Sequence, residues 1–146
     1  MNESADVRKA RQIVDQMYEN DAFSQWLGIE RLEVFPGNCV LRMAIRPEML
    51  NGFHISHGGI AYAFADSALA FASNSRGMQA VSVETSISHT APLHAGDVIT
   101  AIATEEHLGH KIAIYRVEVV NQHDHRIAIF KGTVYRTSKP WSITAE

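Results

Sequence analysis

The spacing of apolar positions changes period several times along the chain, and each change predicts an element. Residues 7–20, VRKARQIVDQMYEN, place Val7, Ala10, Ile13, Val14, Met17 and Tyr18 on one side of a helix, with charges opposite. Asn20-Asp21 marks its end and offers a cap to a second short helix, Ala22 to Leu27, closed by Gly28. The period then shortens. Ile29, Leu32, Val34 and Phe35 lead into the turn Pro36-Gly37-Asn38. Val40, Leu41, Met43 and Ile45 follow, with Arg42 and Arg46 alternating outward, which predicts two antiparallel strands. Pro47 ends the second strand, and the loop Glu48 to Ser56 carries Asn51-Gly52 and His54 towards His57.

From Ile60 to Ala72 nearly every residue is Ala, Leu, Ile, Phe or Tyr, with no polar face, which predicts a helix buried on all sides. At about 13 positions the run is too short for a membrane span, which needs roughly 20. Ser73-Asn74-Ser75 ends it, with Gly77 as the stop. Downstream, Val81, Val83, Thr85 and Ile87 alternate with Ser82, Glu84, Ser86 and Ser88, and Pro92 to Gly96 turns the chain. Val98, Thr100, Ile102 and Thr104 then alternate with Ile99, Ala101 and Ala103. Gly109-His110 opens a hairpin into Ile112 to Asn121, and Asn121 to His125 another into Arg126 to Arg136. Thr137 to Glu146 have no period and read as a tail with Trp141 packed down. The expectation is one α+β domain over residues 1–146: helices in 7–27, a core in 28–136 and a tail in 137–146. In it a meander of about four strands and the earlier pair form an antiparallel sheet wrapped around one buried helix.

Two features interrupt the apolar helix. His57-Gly58-Gly59 stands at its front, where the first N–H groups lack helical partners and no Cβ blocks close approach, so the terminus suits an anion or a developing oxyanion. The plainer reading is that the glycines only let the chain turn tightly. Asp66 is the other feature. A carboxylate among Phe64, Ala65, Ala68 and Leu69 needs a partner such as Ser67, Ser73 or a neighbouring strand, a water-lined cavity, or a chemical task. It lies eight residues after Gly58, which at 1.5 Å per residue is about 12 Å along the axis. One helix cannot bring both to the same substrate atom. If they cooperate, the acid comes from a second copy whose helix runs antiparallel about a two-fold axis, giving a homodimer with two composite sites.

Composition narrows the classes of function. The chain has 146 residues, 46% of them hydrophobic, enough for one core, and its net charge of −3 gives no footprint for nucleic acid or an anionic membrane. The N-terminal MNESADVRKARQ has no apolar signal-peptide stretch, and the one cysteine, Cys39, sits in an apolar alternation as core filler, so the cytoplasm is the expected compartment. Eight histidines raise the question of a metal. His54/His57, His107/His110 and His123/His125 read as loop or turn residues, no H-E-x-x-H or Cys/His ligand cluster occurs, and no metal site is expected. The G-x-S-x-G elbow of serine hydrolases is also missing.

Four stretches together resemble the hotdog-fold acyl-CoA thioesterases of the phenylacetic acid degradation type: MYENDAFSQWLGIE, MLNGFHISHGGIAYAFADSALAFASNSRG, VSVETSISHTAPLHAGD and VVNQHDHRIAIFKGTVYR. The resemblance spans Met17 to Arg136. It implies a hotdog fold, dimers that share one continuous sheet, and tetramers made of two such dimers. It implies hydrolysis of an aryl-acyl-CoA such as phenylacetyl-CoA or a hydroxylated derivative, with no cofactor beyond the coenzyme A of the substrate. By the same resemblance, Gly58 offers its N–H to the thioester carbonyl, Asn51 orients water, and His57 helps order the site. Asp66 of the opposite subunit acts as base or nucleophile, assisted by Ser82. Gly59 and Tyr62 then belong to the substrate site, Tyr62 with Phe64 and Met49 at the acyl group. Lys111, Arg136 and Lys139 are candidates for the CoA phosphates, Lys111 foremost. Two other readings compete: a hotdog hydratase or dehydratase, which would have to work with His57 alone, and a non-catalytic acyl-CoA-binding module.

Overall fold

The computed structural model describes residues 3–143. Helix α1 (Ala5–Glu19) is capped by Ser4, whose hydroxyl accepts the Val7 N–H at 3.2 Å. Helix α2 (Ala22–Leu27) is capped by Asp21 and stopped by Gly28 in the left-handed conformation, as its sequence predicts. Strands β1 (Glu30–Phe35) and β2 (Asn38–Ala44) form a hairpin, and a single 3-10 turn, Pro47–Met49, leads through a loop to the central helix α3 (Gly58–Asn74). Four strands follow: β3 (Met78–His89), β4 (Val98–Leu108), β5 (Ile112–Val120) and β6 (Arg126–Pro140).

All six strands form one antiparallel sheet in the order β1-β2-β4-β5-β6-β3. Only β4, β5 and β6 form the expected meander. Strand β3 does not pair with β4, which follows it, but crosses to the far edge and pairs with β6, Ser82 opposite Val134 and His89 opposite Ala128. One side of β3 therefore has no strand beside it. Strand β6 also outruns its apolar period, because its last residues are held by backbone pairing with β3 as far as Pro140. Trp141 closes the end: its indole N–H donates to Asn74 Oδ1 at 2.9 Å and its backbone N–H to Gly77 C=O at 2.9 Å.

The core lies between α3 and the sheet. Ile99, Ala101 and Ala103 of β4, Ala113, Tyr115 and Val117 of β5 and Phe130 of β6 face Phe64, Leu69 and Phe71 of the helix. Burying each such large apolar side chain contributes about 1.5–3 kcal/mol. Cys39 is buried among them, and its burial pushes the thiol pKa up to about 12, which keeps it protonated and inert. Among the described residues no helix is long and apolar enough to cross a membrane.

The helix is not covered on every side. Tyr62, Ala63, Asp66 and Ala70 form a stripe at helical spacing that the chain leaves partly open. Beside it, Val81 and Val83 of the free edge strand are 57% and 59% exposed, although their alternation suggests a buried face. The open stripe follows from β3 ending the sheet, whereas the valines are exposed because Val81 pairs with Tyr135 on the outer face and the register shift between Ser82 and Glu84 changes which β3 residues face the helix.

Gly132 of β6 lies under Leu69, and a Cβ there would overlap the leucine methyls. Gly132→Ala is therefore expected to destabilise the protein by about 1–3 kcal/mol through overpacking, although alanine is ordinarily the better strand residue. Thermal unfolding measures this. An unchanged or raised Tm would contradict the packing described.

Candidate active site

The loop before α3 is built by side chains that stand in for missing backbone partners. Leu50 bridges to Ser56, and the Asn51 N–H donates to Ile55 C=O at 2.7 Å. Asn51 Oδ1 accepts the Phe53 N–H at 2.9 Å and the Ile55 N–H at 3.4 Å, which holds the turn through His54 at φ 62°. The oxygen of Asn51 is therefore committed to the loop, and its Nδ2 group is the part left for a ligand. His57 is the N-cap of α3, its Nδ1 accepting the Gly59 N–H at 2.9 Å. That bond places the Nδ1 lone pair on the helix and fixes the ring.

This capping decides which glycine is available. The Gly59 N–H is taken by His57, and the Ile60 N–H donates to His57 C=O at 2.9 Å. Among the described residues no group accepts from the Gly58 N–H, which stands alone at the positive end of a 17-residue helix. Gly58 lines a cavity of about 390 Å³ with Asn51, His57, His89, Ile55, Leu93 and Ile127 among its walls. The structure thus brings Asn51, His57 and Gly58 together and ties up Gly59.

Asp66 does not line that cavity. It borders a second one of about 250 Å³ with Ser82 and Val81 of β3, Val134 of β6, and Leu69, Ala70 and Ser73 of its own helix. Neither neighbouring serine bonds it. Ser67 shares a hydrogen with Ser24 at 2.8 Å, and Ser73 donates to Ala70 C=O at 3.3 Å. Among the described residues the Asp66 carboxylate has no hydrogen-bond or ion-pair partner, and burial raises its pKa above the ordinary aspartate value. An unpartnered, half-buried carboxylate in a cavity is poised to take a proton.

The remaining residues lie apart from both groups. The Tyr62 hydroxyl is hydrogen-bonded to Thr85 of β3, and its ring packs edge-on against Phe130 with centroids 5.6 Å apart. Phe64 and Met49 are buried in the core and line neither cavity. Lys111 and Arg136 meet with His110 and Ser138 around a smaller recess of about 170 Å³, Lys111 Nζ 3.3 Å from Ser138 Oγ and Arg136 donating to Gly109 C=O at 2.9 Å. Lys139 does not line it. His89, Leu93 and Ile127 line the Gly58 cavity without being singled out by sequence. His89 is the last residue of the β3 alternation, and only the crossing of β3 to β6 carries that end to the helix N-terminus. Among the described residues no three His, Cys, Asp or Glu side chains are arranged to hold a metal.

A six-stranded antiparallel sheet around a central helix, with a glycine amide at the helix N-terminus and a carboxylate two turns on, defines a hotdog-fold thioesterase domain. Residues 53–128 match the model of the thioesterase superfamily, and the chain belongs to that family. It is 40% identical over 128 residues to the acyl-coenzyme A thioesterase PaaI of Escherichia coli strain K12, covering 88% of this chain and 91% of that protein. The solved structure of E. coli PaaI, from the phenylacetic acid degradation operon, superposes with a TM-score of 0.91, covering 93% of this chain and 99% of the other. A putative esterase of Archaeoglobus fulgidus is 38% identical, covering 91% and 86% of the two chains. A Thermus thermophilus protein of known structure is 42% identical with a TM-score of 0.77, covering 80% of this chain and 98% of its own.

The environment of Asp66 has a consequence for stability. Its folded-state pKa is raised, so the stability carried by the protonated form is full below about 3.8 and is lost as pH rises through the raised value. Asp66→Asn, neutral at every pH, is expected to have a higher Tm than the parent at pH 7, with the gap closing as pH falls towards 3.8. A variant no more stable at neutral pH would show that the carboxylate is not desolvated.

Proposed function

We propose that the protein hydrolyses aryl-acyl coenzyme A thioesters, of the phenylacetyl-CoA or hydroxylated phenylacetyl-CoA kind, to the free acid and CoA. The observation that carries this is a pair of unpartnered groups suited to the two halves of the reaction: the Gly58 N–H in one cavity and the Asp66 carboxylate in another. Because they open separately in one chain, the reading requires a homodimer in which Gly58 of one subunit faces Asp66 of the other. The free edge of β3, with Val81 and Val83 exposed, supports a two-fold contact on that side, and two such dimers make the tetramer that the family resemblance implies. The compartment proposed is the cytoplasm, which fits the single buried, unpaired cysteine.

In this reading the thioester carbonyl oxygen accepts from the Gly58 N–H, and Asn51 Nδ2 and His57 hold the approach. Asp66 takes a proton from water as the water oxygen attacks the carbonyl carbon. The tetrahedral oxyanion is stabilised by the amide and the helix dipole, an effect of about 3–4 kcal/mol for one well-placed donor. The C–S bond then breaks, and the proton held by Asp66 passes to the departing thiolate. The upward shift of the Asp66 pKa suits it to take that proton. Ser82 lines the same cavity as Asp66, where this reading has it assist the acid, and Tyr62, tied to Thr85, borders the substrate path. Lys111 and Arg136 present a cationic recess for the phosphates. No group beyond the coenzyme A of the substrate enters the scheme.

A thiol-release assay over a panel of acyl-CoAs tests the reading. Aryl-acetyl substrates are expected to release thiol, and Asp66→Ala to lower kcat by about a thousandfold or more with the oligomer intact. An intact thioester with hydrated acyl chain would identify a hydratase, a thermal shift without turnover would identify a binding module, and either would end the proposal.

A further inference from the structure

The Gly58 amide is the one backbone donor free at the helix N-terminus among the described residues, and in the proposed scheme Asn51 Nδ2 holds the approach, so the carbonyl oxygen has room for a second donor. The Gly59 and Ile60 amides are occupied, and the Nδ1 of His57 accepts rather than donates. His89 is differently placed. Its backbone is locked at the end of β3, paired with Ala128, while the next residue, Thr90, donates its N–H to Ile127 C=O at 2.9 Å and its hydroxyl to Arg126 C=O at 2.9 Å. Its imidazole has no hydrogen bond among the described residues and lines the Gly58 cavity. A Cβ added to Gly58 would lie 3.4 Å from His89 Nε2 and 3.5 Å from Cε1, so the imidazole stands directly beside Gly58. The Gly58 N–H and the imidazole thus face one cavity.

We propose that His89 is a catalytic residue, its Nε2–H supplying the second donor to the carbonyl oxygen bound at the Gly58 amide. The assignment rests on the thioesterase reading and adds to it a side chain from a rigid strand end. Donation strengthens as charge develops on that oxygen, so the residue acts on kcat more than on KM.

The test compares His89→Gln, whose amide nitrogen takes up the Nε2 position, with His89→Leu, which fills similar space without a donor. Phenylacetyl-CoA is the probe, and Tm and oligomeric state are recorded for each variant. His89→Leu is expected to lower kcat about 10- to 100-fold with KM within about twofold, and His89→Gln to recover most of the loss. Equal losses in the two variants, or a His89→Leu kcat within about twofold of the parent in an active enzyme, would overturn the role of His89 and leave the thioesterase reading standing. A parent enzyme that releases no thiol from any acyl-CoA would overturn both.

Discussion

A rigid rod sets the distance that the rest of this structure has to work around. Helix α3 fixes the Gly58 amide and the Asp66 carboxylate two turns apart, and neither can move towards the other without breaking the helix. Each group is made available by local chemistry. His57 Nδ1 takes the Gly59 N–H and leaves that of Gly58 alone; Ser67 and Ser73 bond elsewhere and so leave Asp66 alone. The two groups open into different cavities of one chain, and the proposed two-subunit site answers that separation.

Much of the remaining fold holds that rod in place. At its C-terminal end the Asn74 side chain bonds Ala80 through both its N–H and C=O and accepts from the Trp141 indole, which ties the helix to β3 and to the end of β6. Arg76, just beyond, makes two bonds to Glu105 of β4, and Glu105 accepts from the Tyr115 hydroxyl at 2.8 Å. Burial works against ionising Glu105, but the Arg76 and Tyr115 hydrogen bonds outweigh it and hold the carboxyl below its usual range. On the other flank, the Asp21 carboxylate accepts from the Ser24 hydroxyl at 2.6 Å, and Ser24 bonds Ser67 within the core, so α2 is docked beside Asp66. The exposed edge of β3 is the complement of this arrangement: the helix is stitched firmly on its sheet side and left open beside that edge.

What can be read in the sequence follows from which signals are local. The caps at Asp21 and Gly28, the turn at Gly37 and the inward alternation Ile99, Ala101, Ala103 are set by neighbouring residues and are legible at once. The edge position of β3 is not, because its alternation of Val81 and Val83 with Ser82 and Glu84 is the same whether a strand lies beside it or not. The same blindness hides His89. A histidine closing a strand looks ordinary until the crossover brings it beside Gly58. Asp66 is legible as an anomaly, an acid in an apolar helix, whereas the cavity it borders depends on β3 and β6 packing over it. Phe64 and Met49 look like pocket residues and are core, because aromatic and thioether side chains serve either place equally well.

The central claim is that each working site joins Gly58 of one subunit to Asp66 of its partner. It is tested most directly by mixing two inactive variants, Asn51→Ala, which damages the Gly58 half, and Asp66→Asn, which damages the other. Co-expressed at equal levels, half of the dimers are mixed, and each mixed dimer has one site built from two intact halves, so about a quarter of the parent activity is expected. Activity in the mixture no greater than in either variant alone would place both groups in one chain's site and contradict the account.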